Sequence, residues 1–174
     1  EEEKLKLEEI EKGAIEELGK VTQVAEIFHT SPQIRQSQIE AFKYAKEEVC
    51  QCLGTIHKPT EHSDLKSVYE KEIILAIQRG VKFKAIYQKN QRPPHTLLEL
   101  HNRYPDRFKI RFSDLPIPRF DIVDSNQILF KIQDPKDTTT TVGTTIITNY
   151  SFAKKLRSKF MNLWAESSEK THHN

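Results

Sequence analysis

From Val21 to Phe112 short apolar runs take turns with amphipathic segments, joined by brief links. Strands separated by helices return in the same direction and place the helices on the faces of a sheet, so this alternation restricts the fold severely. Val21 to Phe28 is the first expected strand. Thr30-Ser31-Pro32 then marks a helix start, with Thr30 or Ser31 as cap and Pro32 in the first turn, and Ile34, Ile39, Phe42 and Ala45 supply its buried face. In the next strand, Glu48 to Gly54, Val49, Gln51 and Leu53 alternate with Cys50 and Cys52. Asp64 caps a helix to about Arg79 whose apolar positions are Leu65, Val68, Tyr69, Ile73, Leu75, Ala76 and Ile77, and Gly80 closes it. A strand over Val81 to Tyr87, a turn at Gln91 to Pro94, a helix over Thr96 to Arg103 and a strand over Phe108 to Phe112 complete the series. The expected class is α/β: a mixed, largely parallel sheet flanked by helices.

After Phe112 the pattern changes. Arg119 to Val123 is rich in β-branched and aromatic residues, Asp124-Ser125-Asn126 is turn chemistry, and Gln127 to Ile132 is a second apolar run, which together predict a β-hairpin. A polar link, Asp134 to Thr141, leads to a last strand, Val142 to Ile147. The terminal helix, Ser151 to Glu166, is expected to bury Phe152, Leu156, Phe160, Leu163 and Trp164. At the other end Leu7, Ile10, Ala14, Leu18 and Val21 recur at three- and four-residue steps, with Glu and Lys on the opposite face. So narrow a stripe suits a dimerising coiled coil, with an ordinary surface helix as the alternative. Gly13 costs such a helix about 1 kcal/mol relative to Ala, which makes a partner useful. The expected division is a coiled-coil helix over 1–21, one α/β domain over 22–167 and a frayed tail over 168–174.

The 174 residues include 27 Lys and Arg against 25 Asp and Glu, a net charge of +2. The global field therefore favours no particular partner, and a nucleic-acid reader usually carries a larger basic excess. No apolar run is long enough to span a membrane. No secretory signal opens the chain, and two Cys one residue apart make no disulfide framework, so a reducing cytoplasm is expected. A start without Met and in mid-pattern is what a piece of a longer protein would show.

Cys50 and Cys52 share one face of their strand, and with His57, His62 and Asp64 downstream they are chemically sufficient for zinc, although the spacing is not that of a zinc finger. Core thiols are the competing reading. Arg119 and Lys131, with Asp121 and Asp124, could line a pocket at the carboxyl ends of the parallel strands, where an Arg favours a phosphate, a carboxylate or a cluster of sugar hydroxyls. The alternative is a solvated Arg119–Asp121 surface pair. His95, His101, Lys58 and the Arg92-Pro93-Pro94 loop are lesser candidates. Ser125, Thr144 and Thr145 have no adjacent His-Asp arrangement that would make them nucleophiles. With Gly at 5 positions there is no glycine-rich phosphate cradle, and no cofactor is implied.

Aligned on Asp124, the stretch Ile117-Pro-Arg119-Phe-Asp-Ile-Val-Asp124 resembles the His-x-Lys-x4-Asp motif of phospholipase-D-type enzymes. In that motif the His attacks phosphorus, the Lys binds phosphate and the Asp supports the site. Arg119 falls at the Lys position and Ile117 at the His position, and isoleucine cannot be a nucleophile. Gly143-Thr144 is only loosely similar to the Gly-Ser that follows the active motif. The order of elements, the segment around Tyr-Ala-Lys-Glu-Glu-Val, the Arg-Gly-Val-Lys that closes the second helix and the terminal Phe160-Met161-Asn162-Leu163-Trp164 resemble the phospholipase-D-like effector domain of archaeal TrmB-like transcription regulators. That resemblance implies a catalytically dead scaffold, a ligand-sensing and dimerising domain that takes a small polar or anionic metabolite. DNA would be reached only through a winged-helix domain not in this chain, with no membrane partner. Two other readings stay open: a sensor module of a histidine kinase, or a diverged phosphodiesterase or nuclease of the phospholipase D superfamily.

Overall fold

The computed structural model describes residues 26–28, 31–53, 63–137 and 141–169. The proposed coiled coil, with Leu7, Ile10, Ala14, Leu18 and Val21, lies outside them, as do His57 and His62. In chain order the elements are β1 (Glu26–Phe28), α1 (Ser31–Tyr44), β2 (Glu48–Leu53), α2 (Ser63–Arg79), β3 (Lys82–Gln88), α3 (His95–Arg103), β4 (Phe108–Ser113), β5 (Phe120–Val123), β6 (Gln127–Gln133), β7 (Thr141–Thr148) and α4 (Tyr150–Glu166). Gly80 closes α2 at φ 102, a conformation that glycine adopts without penalty. No described helix is long and apolar enough to cross a membrane.

The sheet is mixed and helices cover both faces, in the order β1-β7-β6-β5-β2-β3-β4. Parallel pairing is confined to β2–β3 and β3–β4, and the remaining neighbours are antiparallel. The largely parallel sheet read from the alternation is thus narrower than expected. A helical crossover makes two strands run in the same direction without making them neighbours. β1 and β2 do run in the same direction, but β7, β6 and β5 lie between them, and β1 pairs antiparallel with β7 through Phe28 and Thr144. Gly143 permits that approach, since a Cβ there would stand 3.2 Å from the Phe28 carbonyl oxygen. The hairpin forms as read: Asn126 N–H donates to the Val123 carbonyl at 3.0 Å, and Asp124 and Ser125 both adopt φ 52, the left-handed geometry that matches strand twist.

Strand alternation sorts side chains into two cores. Val49, Phe83, Ala85, Phe108, Ile110 and Leu129 meet α1, α2 and α3 on one face. Cys50, Cys52, Ile86, Phe120, Ile122 and Ile128 meet Ala153, Phe160 and Trp164 of α4 on the other. Three apolar residues expected inside are exposed: Val68 at 46%, Leu75 at 38% and Phe152 at 40%. Val68 and Leu75 lie two turns apart on the outer side of α2, because Tyr69, Ile73, Ala76 and Ile77 already fill the stripe facing the sheet. The expected fraying after Ser167 does not begin at once, since Ser168 exchanges two backbone hydrogen bonds with Phe112 at 2.7 and 2.9 Å.

Candidate ligand site

The strand registers bring Arg119 and Lys131 to one rim. Cys52 faces Phe120 across β2–β5, and Phe120 faces Phe130 across the hairpin. Arg119 and Lys131 therefore stand beside the carboxyl end of β2, with the Lys131 N–H donating to the Arg119 carbonyl at 3.1 Å. Alternation turns Gln51, Asp121, Arg119, Lys131 and Thr144 to the face covered by α1 and α2.

All five are buried, which excludes the solvated Arg119–Asp121 surface pair. Asp121, fully buried, makes its ion pair with Lys131, whose Nζ lies 3.1 Å from Oδ2 and 3.3 Å from Oδ1. Gln38 of α1 donates to Oδ2 at 3.0 Å, and Gln51 donates to Oδ1 at 3.3 Å and to the Tyr69 hydroxyl at 3.2 Å. Arg35 lies over the Tyr69 ring at 4.5 Å. Arg119 Nη1 donates to the Thr141 hydroxyl at 2.9 Å. Lys131 faces Thr144 across β6–β7, and the Thr144 hydroxyl is buried without a hydrogen-bond partner among the described residues.

The electrostatics follow from burial. Desolvation holds the Lys131 ammonium below its ordinary pKa, opposed by Asp121 and reinforced by Arg119 and Arg35. Desolvation also lowers the Arg119 pKa, again against Asp121. Burial, with Asp121 adding to it, pushes the Tyr69 phenol up to about 12, so it is neutral and free to donate as well as accept. The face thus presents cationic, amide, hydroxyl and carboxylate groups together, which can recognise a molecule with several oxygens.

Asp124 does not join them. It stands at the far end of β5, where its carboxylate accepts the backbone N–H groups of Lys46, Glu47 and Glu48 at 2.9, 2.8 and 3.0 Å. It closes the α1–β2 connection onto the hairpin. Asp124→Ala is expected to lose about 2–3 kcal/mol in urea denaturation, with Asp124→Asn losing less because one acceptor oxygen survives. A loss under about 0.5 kcal/mol would show that water serves those amides equally well.

Ile117 is buried in the apolar core beneath α4. Cys50 and Cys52 are free thiols in that same core; burial pushes Cys52 up to about 12 and raises Cys50 further, which makes each a poor thiolate ligand. No set of three His, Cys, Asp or Glu that could hold a metal occurs among the described residues. Gln38 and Gln51 are not singled out by the sequence as site residues, and Thr144 is weighed there only as a nucleophile and beside Gly143, not as a member of this cluster. Their signal was a polar residue at an inward position of an otherwise apolar strand or helix stripe.

This topology, with a polar cluster on the face beside the hairpin, is the phospholipase-D-like fold. The chain superposes on Nuc from Salmonella typhimurium, a phospholipase D family member, with TM-score 0.63 and 14% identity, covering 84% of this chain and 97% of that one. NucT from Helicobacter pylori gives TM-score 0.61 and 13% identity over 84% of this chain and 99% of that one. TrmBL2, an archaeal chromatin protein with a novel mode of DNA binding, gives TM-score 0.60 and 18% identity over 97% of this chain. The match spans 64% of the TrmBL2 chain. No curated protein matches the sequence. Residues 29–169 match the family described as a domain of unknown function, DUF7436, and the chain belongs to that family.

Proposed function

We propose that this is a non-catalytic phospholipase-D-like domain that binds a small polar or anionic metabolite at the Arg119–Asp121–Lys131 cluster, within an archaeal TrmB-like transcription regulator. The observation that carries the reading is the buried Lys131–Asp121 pair with the Thr144 hydroxyl beside it. Burying such groups is costly, and a ligand hydroxyl or phosphate oxygen would satisfy them. In the resemblance to the phospholipase-D-type motif Ile117 falls at the nucleophile position, and it lies in the core beneath α4 and not beside Arg119, which supports anion or hydroxyl recognition as the chemistry left to Arg119. The likeness to TrmBL2 over nearly the whole chain supports a regulator context. In that context binding would change how two copies pack through residues 7–21, and with it the spacing of appended DNA readers.

Calorimetry with inorganic phosphate, glucose, glucose 6-phosphate and citrate tests this on wild type and Arg119→Ala. At least one probe should bind, and the variant should bind it roughly tenfold or more weakly, the loss of a charge-assisted bidentate contact. Equal binding by both proteins would place the site elsewhere. Hydrolysis of a generic phosphodiester that vanishes in Arg119→Ala would overturn the non-catalytic reading.

A further inference from the structure

The net charge of +2 conceals a segregation by face. On β3 and β4 the core residues Phe83, Ala85, Phe108 and Ile110 point toward α1–α3, so Lys82, Lys84, Lys109 and Arg111 share the face covered by α4. Two sets of contacts fix this placement. Lys84 pairs with Glu48, which also holds Arg157 of α4 at 2.6 Å. Arg111 donates to the Trp164 carbonyl at 2.8 Å and lies over its ring.

Helix α4 adds Lys154, Lys155, Arg157 and Lys159, and carries no acidic residue before Glu166. Among the described residues of this face, eight Lys and Arg therefore meet three carboxylates, Glu48, Glu166 and Glu169, a local excess larger than that of the whole chain. Lys82, Lys109, Lys154, Lys155 and Lys159 are exposed. The opposite face mixes its signs: Glu40 accompanies Lys43 on α1, and Glu70 and Glu72 accompany Lys71 and Arg79 on α2.

We propose that the α4 face binds the phosphate backbone of duplex DNA, so that this domain touches DNA with its own residues and not only through an appended reader. Exposed lysines are flexible point charges, suited to phosphates and not to reading base edges. A helix of 17 residues spans about 25 Å, and duplex DNA presents about one charge per 1.7 Å of axis, so several lysines can engage phosphates at once. An anionic membrane fits less well. Ala153, Phe160 and Trp164, the apolar side of α4, are already buried against the sheet, and the exposed aromatics of the helix, Tyr150 and Phe152, are confined to its first turn, a smaller apolar surface than an interfacial helix presents to lipids. The inference is independent of the metabolite reading and survives its failure.

The test is fluorescence anisotropy of a short random-sequence duplex with the full chain at about 50 and roughly 200 mM salt. Wild type should bind at the lower salt and weaken steeply at the higher, with a log–log slope of about −0.9 per phosphate contact. The triple variant Lys154→Glu, Lys155→Glu, Lys159→Glu should bind roughly tenfold or more weakly, with a slope shallower by about 2 to 3. Lys43→Glu with Lys71→Glu, on the opposite face, should bind like wild type. Lys82→Glu with Lys109→Glu probes the same proposed face from the strands and should also weaken binding, even if α4 does not tolerate three reversals. No binding at the lower salt, equal losses from both faces, or tighter binding to phosphatidylglycerol vesicles than to the duplex would overturn the proposal.

Discussion

Asp121→Asn should destabilise the fold by about 3–5 kcal/mol in urea denaturation at neutral pH, because it leaves the Lys131 ammonium buried without its counter-charge. The shape is conserved, so lost packing contributes little. The Lys131 side chain is 2% exposed and that of Asp121 0%, which leaves water no easy route to replace the carboxylate. The pH dependence has a definite sign. The folded pKa of Lys131 lies below its unfolded value, so between the two the folded state holds fewer protons and stability rises with pH. Removing Asp121 removes the contact that holds the proton on, and the window widens downward. The penalty should therefore be largest at pH values below the folded pKa of Lys131 in the variant, shrink as pH rises from there to the wild-type folded pKa, and stay level above it, because the unfolded lysine titrates identically in both proteins. Asp121→Leu combined with Lys131→Met should recover much of the loss, since a buried ion pair replaced by apolar residues is often neutral in stability. A cost for Asp121→Asn below about 1 kcal/mol would mean that the pair is hydrated, and the buried cluster would lose its claim as a site.

Phe42→Ala should cost about 3–5 kcal/mol, and this loss should be flat with pH. Phe42 is fully buried, edge-on to Phe83 and tilted against Tyr69, each with centroids 5.6 Å apart. Truncation opens a cavity among α1, α2 and the sheet, whose walls are fixed by backbone ties: Arg79 Nη2 donates to the carbonyls of Phe42 and Lys43 at 2.8 and 2.9 Å. Phe42→Leu, which keeps most of the volume, should lose about 1–2 kcal/mol. A loss below about 2 kcal/mol for the alanine variant would show that the two helices collapse into the space. The effect should also reach the site, since Tyr69 packs on Phe42 and bonds Gln51.

These two residues differ in how far they could be read from the chain alone. Phe42 sits on the stripe Ile34, Ile39, Phe42, Ala45, and helical periodicity places it inside whatever sheet the helix covers; all four are buried. The hairpin, the Gly80 stop and the face shared by Cys50 and Cys52 were legible for the same reason, because each depends on residues a few positions apart. What depends on partners far along the chain was not. Gln38 meets Asp121 across 83 residues, and the Asp124 carboxylate holds amides 76 to 78 residues away. Those contacts exist because β5 inserts beside β2, and local periodicity says nothing of strand order. The same order sent β1 to the far edge and buried Arg119 and Asp121, for which a solvated surface pair was the alternative reading. The charge pattern shows the limit most plainly: the sum of charges is a property of composition, but the gathering of lysines on the α4 face arises only when β3, β4 and α4 share one side of the sheet.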